Sequence, residues 1–127
     1  MIQEEKDLLF EELSARLPYG LKVVEDLDKT FDGGAIDELK TVTYIHDEQY
    51  VYTKHSVTPV NMEEVRPYLR LLSSMSEKEK QELFQLMGNG NDVMRIRFYY
   101  SHHLDINCLI SKGLALEAPP DMYEIKN

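Results

Sequence analysis

A chain of 127 residues, 43% hydrophobic and 29% charged, is long enough to bury a modest core and too apolar for wholesale disorder. Its 23 acids against 14 Lys and Arg give a net charge of −9. That field repels polyanions and disfavours non-specific binding to phosphate backbones or anionic membranes, though it leaves room for a local basic patch. The single cysteine, Cys108, excludes an internal disulfide and a multi-cysteine zinc centre. No stretch approaches the ~20 apolar residues of a membrane span, and the opening MIQEEKDLLFEEL has acids where a signal peptide needs a basic start. The expectation is a cytoplasmic protein with no membrane partner and no cofactor.

Leu9, Leu13 and Leu17 recur at four-residue steps with Phe10 beside them, the stripe of an amphipathic helix over residues 3–16. Glu4, Glu5 and Asp7 suit its positive end, Arg16 suits the other, and Pro18 ends it. Glu4, Glu5, Glu11 and Glu12 read as its solvated face. From Gly20 to Val60, β-branched and tyrosine residues replace leucine. LKVVEDL, LKTVTYIH and QYVYTKHSV read as three strands, with FDGGA and HDEQ as turns between them. Alternation in the second strand puts Leu39, Thr41, Thr43 and Ile45 on one face and Val42 and Tyr44 on the other. Asn61 and Glu64 are spaced to cap one short turn before Pro67.

Residues 61–75 read as a connector between the first part, 1–60, and a helical part, 76–127, of a single domain. Ser76 and Glu79 form the Ser-x-x-Glu capping box, with Ser74 and Glu77 as a second register. The helix they open buries Leu83, Phe84, Leu86 and Met87 and stops at Gly88 or Gly90. Ser73, Ser74 and Ser76 are thereby explained without catalysis, and no Gly-x-Ser-x-Gly elbow occurs. In residues 92–104, Met94, Ile96, Phe98 and Tyr100 alternate like a strand, whereas Val93, Ile96, Tyr100 and His103 fit a helix. Asn91 or Asp92 caps that helix. Asp105 then starts a second short helix that Gly113 terminates. The fold class is α+β: an N-terminal helix, a small antiparallel sheet of about three strands, and two or three C-terminal helices.

ARLPYG, RPYLRLLSSMSEKEKQEL and HHLDINCLISKGLALEAPPDMY resemble the landmarks of a group of small proteins from gut Bacteroidales genomes, often encoded near prophage or other mobile-element genes. The matching positions are Leu17 to Gly20, Pro67 to Arg70, Ser73 to Met75, His102, His103, Asp105 and Gly113 to Pro119. Leu71 and Leu104 depart from the group's proline and phenylalanine, and Ile-Asn-Cys after Asp105 from its aromatic and arginine. The resemblance implies a helix over 92–104 and a mobile-element setting. It implies no activity.

Three constellations carry possible chemistry. His102, His103 and Asp105 are metal-ligand types, but adjacent helical histidines point about 100° apart, so a helix end capped by an aspartate explains them as well. Arg95, Arg97, Phe98, Tyr99 and Tyr100 interleave cations and aromatics as single-strand nucleic-acid binders do; residues 91–104 carry two arginines and one aspartate, a net of +1. The same side chains also fit core packing and pairing with surface acids. Third, residues 1–70 hold 15 acids and 8 bases, net −7, against 8 and 6, net −2, in 71–127. That is a solvated face, or a decoy for a basic groove on a host protein. Tyr68 and Arg70 serve either as partner-binding anchors or as a knit between the sheet and the C-terminal helices. The reading is a non-enzymatic protein-interaction or adaptor protein of a phage or mobile element, with self-association compatible. A nucleic-acid-binding accessory protein using Arg95 and Arg97 is the alternative. Candidate contact residues are Tyr68, Arg70, Arg95, Arg97, Tyr99, His102, His103 and Asp105.

Overall fold

The computed structural model describes residues 1–25 and 35–124. Helix α1, Gln3–Ala15, begins with Glu4 and Glu5 against the helix dipole, and the Glu5 carboxylate accepts the Ile2 N–H at 3.1 Å. Leu9 and Leu13 are fully buried. Pro18 lies in a 3-10 turn, Leu17–Tyr19, and Gly20 reverses the chain at φ +69°, a conformation that costs an L side chain energy.

Strands β1 (Lys22–Glu25), β2 (Ala35–Ile45), β3 (Glu48–Thr53), β4 (Val60–Asn61), β5 (Val65–Leu69) and β6 (Leu116–Glu117) form one sheet in the order β4-β3-β2-β1-β5-β6. Every pairing is antiparallel except β5 with β6. Helices α2 (Glu77–Gly88) and α3 (Asp92–Ser101) lie between β5 and β6 in sequence and pack on each other as a hairpin. The core joins Leu9 and Leu13 of α1 to Val23, Leu39, Val51, Val65 and Leu69 of the sheet and to Leu109, Leu114 and Tyr123.

The α+β class holds, but the sheet has six strands among the described residues rather than about three. Residues expected to form a connector instead make β5, which pairs with β1 on one side and β6 on the other. Pro67, expected to end a short turn, lies inside this strand although proline donates no ladder bond. Strand residues alternate edges, and Leu69, two residues on, turns its carbonyl to Ala118 at the β6 edge. Pro67 therefore turns its nitrogen to that edge too and interrupts no bond to β1.

In β2 the register shifts between Leu39 and Thr41. This bulge puts Leu39 and Val42 against the same core, and Tyr44 sets its ring 4.7 Å from Phe10 of α1. The strict alternation expected there fails for that reason. HDEQ is a two-residue hairpin loop, with His46 and Asp47 both at positive φ as a type I′ turn requires. The expected FDGGA turn and the end of LKVVEDL fall largely outside the described residues.

Asp105 starts no helix. Its carboxylate accepts the Leu109 and Ile110 N–H groups at 2.9 and 3.0 Å, as a cap would, but Cys108 at φ +59° breaks the turn before it propagates. Glu12 and Arg16, expected at the solvent face and the helix end, are both buried.

Asp47 holds φ +67° without glycine. Asp47→Gly should raise stability by about 0.5–1 kcal/mol in urea unfolding, by removing the cost of a left-handed L residue.

Candidate functional site

Arg70, the residue after β5, is buried and grips Glu79 in α2 with two parallel bonds, Nη1 to Oε2 and Nη2 to Oε1, each 2.8 Å. The same guanidinium donates to Ser74 Oγ, to Ser74 O and to the His102 carbonyl at the end of α3. Glu79 also accepts the Ser76 N–H, while its own N–H donates to Ser76 Oγ, so the capping box and the fork share one carboxylate. Burial pushes that carboxyl up, and the Arg70 and Ser76 hydrogen bonds more than offset it, leaving Glu79 below the usual carboxylate range. The backbone of Arg70 adds two further bonds. Its N–H donates to the His103 carbonyl and its C=O accepts the Asp105 N–H, which lays residues 103–105 alongside it.

His102 stacks on Phe98 with ring centroids 4.1 Å apart. Its Nδ1 lies 2.8 Å from the Phe98 carbonyl and its Nε2 lies 3.8 Å from Glu79. His103 turns the other way. At φ +60° its ring stacks on Tyr123, centroids 3.8 Å apart, and its buried Nδ1 finds no hydrogen-bond partner among the described residues. Burial first, then the Arg16 and Arg70 cations, hold this imidazole neutral, down to about 4.

The Tyr123 hydroxyl sits between β1 and β5. It accepts the Lys22 N–H and donates to the Tyr68 carbonyl, both at 2.8 Å, where the direct pairing of the two strands ends at Val23 and Pro67. Burial pushes this phenol well above its ordinary range. A second buried pair, Glu12 with Arg16 at 3.0 Å, adds an Arg16 bond to the Leu104 carbonyl, a guanidinium 4.8 Å from the Tyr100 ring centre, and a Glu12 bond from Asn107.

The sequence-derived candidates therefore divide. Arg70, His102, His103 and Asp105 come together with Glu79 and Tyr123 as a polar knot, and Tyr68 packs half-buried against the core beside it. The guanidinium, bonded to an acid and to helix ends, is a knit rather than an anchor offered to solvent. Arg95, Arg97 and Tyr99 lie apart on α3: Arg95 pairs with Asp92, Tyr99 meets Phe98 edge-on, and Arg97 is exposed with no ion pair to any described residue. Sequence reasoning missed Tyr123 altogether. Glu12 and Arg16 at i, i+4 were a legible pair, but nothing in the spacing signals their burial.

The expected burial of α2 is met only in part: Leu83 and Leu86 are half-buried, but Phe84 and Met87 are exposed. Phe84 is 78% exposed and Met87 57%, and on α3 Val93 is 61% and Ile96 43% exposed. Among residues of α2 only Glu79 is buried, and of α3 only Phe98.

A cleft of about 410 Å³ opens beside the knot, floored by Leu71, Ala118, Pro119, Pro120 and Tyr123 with Arg70 at its edge. Arg70, Ser74 and Tyr123 spend their polar atoms within the protein, and the Glu117 carboxylate also lines the cleft. No three His, Cys, Asp or Glu among the described residues gather as a metal centre would need. No described helix is long and apolar enough to cross a membrane. No protein-family model, curated protein or solved structure matches the chain.

Three measurements test this site. Glu79→Ala should destabilise by about 3–5 kcal/mol because it strands a buried guanidinium, whereas Arg70→Met with Glu79→Leu should cost far less; equal losses in chemical denaturation would refute the fork's buried character. Tyr123→Phe should cost about 1–3 kcal/mol by leaving the Lys22 N–H and Tyr68 C=O without their shared partner. Between pH 6.5 and about 4 the unfolded chain takes up a proton that folded His103 refuses. Stability should therefore fall with pH across that window, by about 3 kcal/mol in full, and the slope should flatten in His103→Asn.

Proposed function

We propose that the chain is a non-enzymatic protein-interaction protein of a phage or mobile element, acting in the cytoplasm, with the α2–α3 hairpin as its contact element. The exposure of Phe84, Met87, Val93 and Ile96 carries this reading. Large apolar side chains exposed on one helical hairpin mark a surface that another protein covers, and Leu9, Leu13 and Leu69 show that this chain can bury its apolar residues completely. The polar knot belongs to the same reading, because it fixes the root of the hairpin through the Arg70 bonds to Glu79 and to the His102 carbonyl.

Nucleic acid is the rival occupant, favoured by Arg97, which is exposed and forms no ion pair with any described residue. Against it stand the net charge of −9 and the engagement of Arg95 and Tyr99 within α3.

Affinity capture from host lysate, with and without nuclease, separates the two. The expected outcome is a protein retained in both arms by the wild type and lost from Phe84→Glu/Ile96→Glu, with thermal unfolding of that variant unchanged. Retention that vanishes with nuclease, falls steeply with salt and is abolished by Arg95→Ala/Arg97→Ala would replace this reading with the rival.

A further inference from the structure

We infer that His55 is a phosphoryl-acceptor site, an imidazole whose Nε2 takes a phosphoryl group from an activated donor while Asp37 holds the other ring nitrogen. The site lies in the turn after β3 and does not depend on the hairpin. On β2 the Asp37 carboxylate accepts the His55 N–H at Oδ2 and the Glu38 N–H at Oδ1, each at 2.8 Å, and Oδ1 also lies 2.9 Å from His55 Nδ1. Burial pushes this carboxyl up, and hydrogen bonds from His55, Thr53 and Glu38 more than offset it, holding it below the usual carboxylate range. An ionised carboxylate only accepts, so Nδ1 carries the ring proton and Nε2 keeps an unshared electron pair. The ring is 78% exposed, and Nε2 has no hydrogen-bond partner among the described residues. The turn that carries it is fixed again by the Lys54 N–H, which donates to the Glu38 carbonyl at 2.9 Å.

An oriented imidazole with a free Nε2 serves as a metal ligand, as the base for a neighbouring nucleophile, or as the nucleophile itself. A metal needs further ligands, and no three His, Cys, Asp or Glu among the described residues gather to supply them. The adjacent Ser56 Oγ is committed, accepting the Thr53 N–H and donating to the Thr53 carbonyl. That leaves the ring as nucleophile, and its surroundings select the electrophile. Lys22 and Lys54 line a cleft of about 300 Å³ beside it, together with Glu38 and Met122. Neither lysine forms an ion pair with any described residue. Two such ammonium groups favour an electrophile that carries negative charge, as a phosphoryl group does, and the Glu38 carboxylate offsets only one of them. In the transfer the Nε2 electron pair forms the bond to phosphorus as the bond to the leaving group breaks. The leaving group departs with that bonding pair, and the ring, now positive, keeps its Nδ1 proton against Asp37.

Incubation of the purified full chain with phosphoramidate, a phosphoryl donor whose leaving group is ammonia, tests the site. Mass spectrometry should find an acid-labile phosphoryl group on His55. His46, exposed in the β2–β3 turn with no hydrogen bond to a described residue, is the internal reference, and His55 should react at least about ten-fold faster. Asp37→Asn places an amide donor against Nδ1 and reverses the tautomer. It should slow His55 by about ten-fold or more, and the ring nitrogen chemical shifts should show the proton moved to Nε2. Lys22→Gln/Lys54→Gln should slow the transfer while the tautomer stays as in the wild type. Equal rates at His55 and His46, a rate unchanged in Asp37→Asn, or a rate indifferent to the loss of both lysines would each overturn the inference.

Discussion

The fork between Arg70 and Glu79 is the constraint on which the arrangement of the molecule depends. Helix α2 has α3 as its chief packing partner and brings no fully buried apolar side chain of its own. A guanidinium at the end of β5 ties both helices to the sheet, bonded to the first turn of α2 and to the His102 carbonyl just past α3, beside the burial of Phe98 and the contact of Tyr100 with Arg16. A buried ion pair of this kind adds little net stability over an apolar replacement, because desolvating both charges offsets much of their attraction. Its contribution here is directional. The bidentate geometry admits one orientation of α2 against the strand.

Around that fork the protein separates into two regimes. Helix α1 and the sheet are held by close packing of leucines and valines. The hairpin is held by local devices: the Ser76 box, the Asn91 carboxamide accepting the Met94 N–H, and the fork itself. Apolar residues fill the core of the first regime, which also exposes Ile36 and Tyr44 on β2, while the second exposes Phe84, Met87, Val93 and Ile96 and buries Phe98. The division explains how a chain of this size can have a well-filled core and still expose Phe84 and Val93.

Much of the fold was legible because it follows from local chemistry. The leucine spacing of α1, the Ser76 to Glu79 box, the Asn91 cap and the His46 to Asp47 turn all act over four residues or fewer, and each appears where its pattern lies. Non-local effects defeated the sequence. Pro67 enters a strand because its nitrogen faces the edge away from β1, which only the pairing reveals. One extra residue near Lys40 exchanges the faces of β2, so Val42 packs inward. Phe84 and Met87 have the spacing of a buried stripe, and periodicity cannot say whether the surface that covers a stripe belongs to the same chain. The candidate site was half legible for the same reason. Arg70, His102 and His103 stood out by type, while Tyr123, which completes the strand pairing beside them, carries no local signature.

The Tyr123 hydroxyl has a consequence for the order in which the chain can fold. It joins Lys22 to a residue 101 positions later, so the pairing of β1 with β5 cannot be completed until nearly the whole sequence has been synthesised. Closing so long a loop is slow because its entropy must be lost before the contact rewards it. The early helix and the β2–β3 hairpin can form during synthesis, but the native sheet is sealed only after it.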